Sequence, residues 1–231
     1  MNGMVDFDPR FTEVVYLDIE CYVPPNSRQQ SRSSMKYNPA KTDNFVLGGV
    51  FRRAFPFQKK MEPPQHFWNW TRENEKTTLQ QIYNYFNESW KLIEGKTDKN
   101  PDLILVGIGI SRHDIPTLYV RSAMHHIDSE ETLYETYLKT KIVDLGDVGI
   151  PLFPNDPRIF PLYPKTTNAL TAKLGLQAQG RKESGKNVWE LYESQQFDAI
   201  TERTASEVED TIKIASSIIS RIASGKFSPL A

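Results

Sequence analysis

The sequence predicts an α/β fold in which a mixed β-sheet is flanked by α-helices. The chain begins with two strand-like segments, continues with alternating helical and strand-like segments, and ends in helical segments. This order of elements is typical of a sheet covered by helices. The length of 231 residues, with 39% hydrophobic and 25% charged residues, suits a single domain spanning residues 1–231.

Two strands open the predicted sheet, at residues 14–23 and 44–55, because both are rich in β-branched and aromatic side chains. The pair Gly48-Gly49 predicts a bulge in the second strand. Residues 24–41 are polar and without hydrophobic period, so a flexible loop is predicted there. Residues 56–76 are predicted to be an irregular insertion.

The remaining elements follow from hydrophobic periodicity. Apolar residues recur at helical spacing over residues 78–94, and Gly95 follows as a stop signal. The apolar run LILVGIG at 103–109 predicts a buried strand. Further helices are predicted over 115–124, 133–138, 167–174, 188–193 and 202–223, a short strand over 142–145, and an irregular segment over 146–165.

Composition and motifs exclude several classes of protein. The single cysteine, Cys21, excludes an internal disulfide framework and a cysteine-based zinc cluster, and a cytoplasmic location is expected. The sequence has no run of 18 apolar residues, so no membrane span is predicted. It contains no P-loop, no G-x-G-x-x-G and no G-x-S-x-G. The formal net charge of −1 argues neither for nor against nucleic acid.

Basic residues are concentrated between residues 24 and 61, where the acidic residue is Asp43. Two interpretations stay open: a solvated surface loop, or an arm that contacts phosphates through Lys and Arg. The nucleic-acid-binding candidates in this segment are Arg28, Arg32 and Lys36. The nearby Trp68 and Trp70 suit either base stacking or packing.

The first strand, VVYLDIECYV, carries two carboxylates on one face. Side chains alternate across a strand, so Asp18 and Glu20 point the same way, with Cα atoms about 7 Å apart. Their oxygens can converge on one or two hard cations, for which Mg²⁺ or Mn²⁺ fits best. The alternative is that both side chains face solvent on a half-exposed strand.

A third acidic residue follows the buried strand, in GISRHDIPTLYVR. Asp114 stands where a helix begins, so it either caps that helix or faces a metal at the strand end. Arg121, on the same helix, is a candidate for a phosphate contact, and a surface ion pair is the alternative.

VVYLDIE followed by GISRHDIPTLYVR resembles the first two motifs of the DEDD (DnaQ-like) 3′–5′ exonuclease superfamily, which has an RNase H-like fold. The residues matching the second motif are Asp114, Pro116, Leu118 and Arg121. The segment KLGLQAQGRKESGKNVWELYESQQFDAITERTASEVEDT resembles the tail of exonuclease domains related to the proofreading domain of family-B DNA polymerases. The resemblance runs from about residue 12 to 222, with nonstandard stretches at 24–41 and 56–76.

The third motif departs from this family. The family places a Tyr four residues before its last Asp, whereas the register with most matches places Arg203 and Glu207 there. A second register makes Asp210 the last carboxylate, with Ser206 at the Tyr position. We prefer Glu207, because more flanking residues match without a gap. Arg203 and Glu207 also fit a surface i,i+4 ion pair.

The resemblance implies a Mg²⁺- or Mn²⁺-dependent 3′–5′ exonuclease that hydrolyses phosphodiester bonds by a two-metal mechanism. The implied metal ligands are Asp18, Glu20, Asp114 and Glu207, with Asp210 as the alternative fourth. Single-stranded DNA is the expected substrate and RNA the alternative; a polymerase or helicase partner and a role in DNA repair are further expectations. The missing Tyr or His leaves a second possibility, a nucleic-acid-binding module that keeps the fold without turnover.

Overall fold

The structure is a computed structural model and describes residues 7–28, 37–72, 74–93, 100–153, 165–177 and 186–225. Within these residues, a six-stranded mixed sheet is covered by helices on both faces. The predicted α/β fold is confirmed, and the architecture is consistent with an RNase H-like fold.

The elements follow in chain order. The strands are β1 (Phe7–Tyr22), β2 (Phe45–Phe55), β3 (Lys60–Met61), β4 (Gln65–Trp68), β5 (Asn100–Gly107) and β6 (Lys141–Asp144). The helices are α1 (Pro25–Arg28), α2 (Glu75–Ile93), α3 (Asp114–Met124), α4 (Glu130–Leu133), α5 (Leu145–Val148), α6 (Lys165–Leu174), α7 (Lys186–Glu193) and α8 (Phe197–Ala223). Short 3-10 turns lie at Pro56–Gln58, Asn69–Thr71 and Ile150–Leu152, and a π-helical turn at Tyr134–Leu138.

Strand β1 is the centre of the sheet. The strand order is β3-β2-β1-β5-β6, and β4 also pairs with β2. β1 is antiparallel to β2 and parallel to β5, which is itself parallel to β6. Its pairing with β5 ends at Tyr16 opposite Val106, while its pairing with β2 continues to Tyr22. Residues 17–22 of β1 therefore extend beyond the part of the strand that pairs with β5.

The alternation of β1 side chains divides the core into two layers. Val15, Leu17, Ile19 and Cys21 are buried with apolar residues of α2 and α3. Val14 and Tyr16 are buried with apolar residues of α6, α7 and α8. Asp18 and Glu20 continue the second series, so the period-2 geometry of a strand aims them at the layer that contains α8.

The insertion predicted at 56–76 is more regular than expected. β3 and β4 both pair antiparallel with β2, and α2 begins at Glu75, within the stretch predicted to be irregular. The prediction was wrong here because two- and four-residue strands are too short to show a hydrophobic period. The predicted bulge at Gly48 is present: the register between β1 and β2 shifts between Glu20 and Cys21, and Gly48 has φ 140°.

Several predicted boundaries also change. α8 begins at Phe197 rather than at 202, and α5 with the turn at Ile150–Leu152 occupies part of the stretch predicted to be irregular over 146–165. In the predicted loop at 24–41, α1 and the turns from residue 37 are described; residues 29–36 lie outside the described part of the chain. Among the described helices, none combines the length and apolar character that a bilayer crossing needs.

Candidate metal centre

Three carboxylates converge where β1 meets α8. One ligand atom from each of Asp18, Glu20 and Glu207 lies within 4.8 Å of the others. Each of these residues is 8% exposed. We call these three residues the carboxylate cluster. Two of them were predicted from the strand pattern, and the third from the preferred register of the C-terminal motif.

The sheet and α8 together explain this convergence. Asp18 and Glu20 lie opposite Val50 and Gly48 of β2, in the part of β1 that extends past β5. α8 packs on this face through apolar side chains that are at most 4% exposed, namely Ile200, Val208, Ile214, Ala215 and Ile218. Glu207 lies seven residues after Ile200 and seven before Ile214, two turns away from each, so burial of these side chains also turns Glu207 toward β1.

Thr204 joins α8 to the strand carboxylates and was not singled out from the sequence. Its Oγ1 donates to Ile200 O at 2.9 Å and lies 3.3 Å from Glu20 Oε1. Thr204 has no exposed surface. It stands three residues before Glu207, so the two side chains share one helix face. That spacing is the signal from which the contact was predictable once α8 was placed against β1.

Arg203 brings a positive charge into contact with the carboxylate cluster. Its Nε donates to Glu207 Oε1 at 3.1 Å, and its side chain is 17% exposed. Burial disfavours the charged guanidinium, but attraction by the three carboxylates outweighs burial and raises the pKa of Arg203. The i,i+4 pair expected from the sequence is therefore present, and it is a partly buried contact at the cluster rather than an isolated surface pair.

Asp210, the alternative fourth carboxylate, lies elsewhere on α8. It is 5% exposed, and Lys213 Nζ lies 3.3 Å from its Oδ1. Within the described residues, the grouping of close carboxylates contains Glu207 and not Asp210. The geometry thus favours the register that assigns Glu207 to the last acidic position. Its role as a metal ligand stays a prediction.

Asp114 is not part of the 4.8 Å grouping found among the described residues. It is the first residue of α3 and is 4% exposed; its Oδ1 lies 2.7 Å from His113 Nδ1. Burial raises the pKa of the Cys21 thiol, and the charge of Asp114 raises it further. Ile115 and Leu118 of the same helix are buried with Cys21 in the layer opposite α8. Of the four predicted ligands, three therefore form the carboxylate cluster, and Asp114 lies outside it.

The loop before Asp114 is held by Asp144, which the sequence did not reveal as important. Asp144 lies at the carboxyl end of β6 and accepts bonds from Gly109 N at 2.9 Å, Ser111 N at 3.1 Å and Ser111 Oγ at 2.7 Å. It also accepts from Gly146 N at 3.0 Å. A carboxylate accepts several hydrogen bonds at once, so Asp144 fixes the path of the chain from β5 to α3.

Arg121 does not have the surface position expected of a phosphate contact. It is 3% exposed, and its Nε and Nη2 donate to Glu75 at 2.8 Å and 2.5 Å. Its Nη1 donates to Lys41 O at 2.9 Å and Pro39 O at 3.2 Å. Of the two possibilities left open by the sequence, the ion pair is present, but it is buried: Arg121 ties α3 to α2 and to the turns before β2, because planar guanidinium groups suit bidentate carboxylate pairing. A role of Arg121 in nucleic-acid binding stays a prediction.

The other nucleic-acid candidates have different outcomes. Arg28 pairs with Glu193, donates to Val23 O at 2.8 Å and lies over the ring of Trp189 at 4.8 Å. Arg32 and Lys36 lie outside the described residues. Their role in nucleic-acid binding stays a prediction.

The two tryptophans considered for base stacking pack within the protein. Trp68 is 3% exposed, and its ring stacks on that of Trp70 with centroids 4.7 Å apart. The Trp70 ring also stacks on Phe197, with centroids 4.7 Å apart and an interplanar angle of 12°. Because the Trp70 ring stacks with two near-parallel neighbours, packing is the interpretation that the geometry favours.

The carboxylate cluster fits a hard divalent cation. Mg²⁺ and Mn²⁺ prefer oxygen ligands, and an octahedral ion holds opposite ligands about 4.2 Å apart, twice a metal–oxygen distance of about 2.1 Å. The oxygens of the cluster lie within 4.8 Å of one another, so small side-chain movements satisfy this limit. Carboxylates this close to one another also repel, and a bound cation would offset that repulsion.

Comparison with known proteins supports the α/β fold and does not identify a protein family. No protein-family model matches the chain, and no curated protein matches it by sequence. Among solved structures, it is similar to a family B DNA polymerase from the hyperthermophilic archaeon Pyrobaculum calidifontis, with a TM-score of 0.55 and 15% identity. The match covers 90% of this chain and 24% of the polymerase chain. This similarity shows the fold, and membership of the DEDD superfamily stays a prediction.

Proposed function

We propose that the protein is a divalent-metal-dependent 3′–5′ exonuclease that hydrolyses phosphodiester bonds at nucleic-acid 3′ ends. The observation that carries this proposal is the convergence of Asp18, Glu20 and Glu207 to within 4.8 Å at a buried edge of the sheet. The ordered motifs of the sequence support the same function. The fold similarity to a DNA polymerase supports an association with nucleic acid.

The chain supplies the oxygen ligands and their positions. Asp18 and Glu20 are held on the central strand, where pairing with β2 limits backbone movement. Glu207 is held by the buried stripe of α8, and the Thr204 hydroxyl lies 3.3 Å from Glu20 Oε1. When bound, Mg²⁺ or Mn²⁺ supplies activation of water and stabilisation of the charge that develops on the phosphate. Asp114, the first residue of α3, is the proposed fourth carboxylate.

Single-stranded DNA is the proposed substrate, and RNA is the alternative. The reason for preferring DNA is the sequence resemblance to exonuclease domains related to family-B DNA polymerases, with the fold similarity to one such polymerase beside it. A polymerase or helicase is the proposed type of partner. Comparing DNA and RNA oligonucleotides of one sequence decides the substrate, because a protein distinguishes them through the 2′-hydroxyl.

A cleavage assay tests the proposal. We expect the purified protein with Mn²⁺ to shorten a 5′-labelled single-stranded oligonucleotide from its 3′ end, and Asp18→Asn to lower the rate at least about a hundredfold. Asp147→Asn is the matched control, because Asp147 is an exposed aspartate that pairs with Arg112; its rate should equal that of the wild type. No shortening by the wild type, or shortening unaffected by Asp18→Asn, contradicts the proposal.

A second function is favoured by one observation, the guanidinium of Arg203 bonded to Glu207. A positive charge at this place opposes metal loading, which suits a nucleic-acid-binding module without turnover. This alternative predicts salt-dependent oligonucleotide binding without cleavage, and binding that Asp18→Asn leaves within about twofold. Loss of a measured cleavage activity in Asp18→Asn excludes it.

A further inference from the structure

We propose that Arg203 is a resident counter-ion of the carboxylate cluster and competes with a divalent cation for its oxygens. The inference rests on the proposed metal site and adds a control on its loading. It is drawn from the position of one side chain, which is bonded to a carboxylate that the expected cation would also use.

The geometry places Arg203 and a metal in competition for one ligand. Arg203 Nε donates to Glu207 Oε1 at 3.1 Å. A ligand atom of Glu207 lies within 4.8 Å of those of Asp18 and Glu20. An ion that takes all three carboxylates therefore sits a few Å from the guanidinium. When such an ion takes Glu207 Oε1, either Glu207 turns from Arg203 or Arg203 turns outward.

Charge gives this competition its direction. A guanidinium stays protonated at all ordinary pH values, so its attraction for the cluster does not disappear at neutral pH. At a partly buried site, two charges a few Å apart interact more strongly than the same two charges in water, because the effective dielectric constant is lower. Arg203 therefore lowers the affinity for a divalent cation while it offsets repulsion among the carboxylates of the metal-free protein.

This arrangement predicts a protein that folds without metal and loads metal weakly. The side chain of Arg203 is 17% exposed, which leaves it an outward path when the cation binds. Release of Arg203 from Glu207 also places a guanidinium beside the site, where it can approach a phosphate. The concentration of free cation then sets the fraction of protein in the loaded state.

Calorimetric titration with MnCl₂ tests the proposal without any activity measurement. We expect Arg203→Gln to bind Mn²⁺ at least about tenfold more tightly than the wild type, since a positive charge is removed a few Å from the ion. Arg203→Lys keeps the charge and should stay within about threefold of the wild type. Equal or weaker binding by Arg203→Gln overturns the proposal.

Arg52→Gln is the matched control. Arg52 lies on β2 and pairs with Glu209, which is on α8 as Arg203 is. The side chain of Arg52 is 21% exposed, close to the 17% of Arg203. Its substitution should leave the Mn²⁺ affinity unchanged. An increase equal to that of Arg203→Gln shows a general charge effect and overturns the specific role of Arg203.

The outcomes separate this inference from the proposed function. Equal Mn²⁺ affinity in wild type and Arg203→Gln, together with cleavage, overturns the counter-ion role and leaves the exonuclease standing. Tighter binding by Arg203→Gln without cleavage by any variant supports the counter-ion and contradicts the exonuclease. Absence of Mn²⁺ binding in every variant overturns both. If Arg203→Gln folds only when Mn²⁺ is present, the counter-ion role is supported; if it folds in neither condition, Arg203 is structural and the proposal is overturned.

Discussion

Two buried acidic centres lie on opposite faces of the sheet, and their chemistry differs. On the α2 and α3 side, the carboxylate of Glu75 meets Arg121, His125 and the Val46 N–H, with bonds of 2.5–2.8 Å. On the α8 side, three carboxylates come within 4.8 Å of one another, and Arg203 is bonded to one of them.

The difference separates a structural ion pair from a candidate chemical site. A buried carboxylate that is matched by a bidentate guanidinium and further donors holds elements together. Carboxylates held close to one another repel and so lower the stability of the fold. Such arrangements are concentrated at functional sites. The carboxylates of both centres are nine-tenths buried or more, so burial of the acidic groups alone does not distinguish the centres. Among the described residues, one centre is a single carboxylate with its donors, whereas the other brings three carboxylates within 4.8 Å of one another.

The largest expected effect is on stability, at the Glu75 centre. Arg121→Met leaves the buried Glu75 carboxylate without its bidentate partner, so we expect a loss of about 3–5 kcal/mol in the free energy of unfolding by urea. Arg112→Met is the control, since its pair with Asp147 is exposed, and it should cost less than about 1 kcal/mol. A small loss for Arg121→Met contradicts the structural assignment.

The next effect is on catalysis, at the carboxylate cluster. Glu207→Gln removes a charged oxygen from the proposed metal site, and we expect the cleavage rate to fall at least about a hundredfold while the circular dichroism spectrum is kept. A rate within a few-fold of the wild type means that Glu207 is not the last acidic ligand, and the comparison between the two centres then fails on the α8 side.

The smallest effect sharpens the choice between the two acids of α8. Asp210 contacts Lys213 and is not in the close grouping of the described carboxylates. We therefore expect Asp210→Asn to keep the cleavage rate within about threefold of the wild type. The same oligonucleotide assay measures it, and a loss as large as that of Glu207→Gln favours the other register.

What the sequence predicted well was what local pattern encodes. The period of two in β1 aims Asp18 and Glu20 at one face. This pattern is contained in a single strand, so a single sequence suffices to recognise it. The flanking residues of the C-terminal motif were enough to favour Glu207 over Asp210.

What the sequence did not predict depends on contacts between distant segments. From the sequence, Arg121 is a candidate for a phosphate contact. Its buried ion pair is visible only in the structure, because the partner Glu75 lies 46 residues earlier in the chain. Thr204 meets Glu20 across 184 residues, and Asp144 holds a loop 33–35 residues before it. β3 and β4 pair with β2 although neither has a readable period. Such pairings follow from the packing of the whole sheet.

Anomalous diffraction from a crystal soaked in Mn²⁺ tests the central claim most directly, because it locates the ion without relying on turnover. We predict a Mn²⁺ peak bound by oxygens of Asp18, Glu20 and Glu207, with the Arg203 guanidinium moved away from Glu207. The same map shows whether Asp114 completes the site from the opposite layer. A map without a peak at these carboxylates, in which Arg203 keeps its bond to Glu207, contradicts the account.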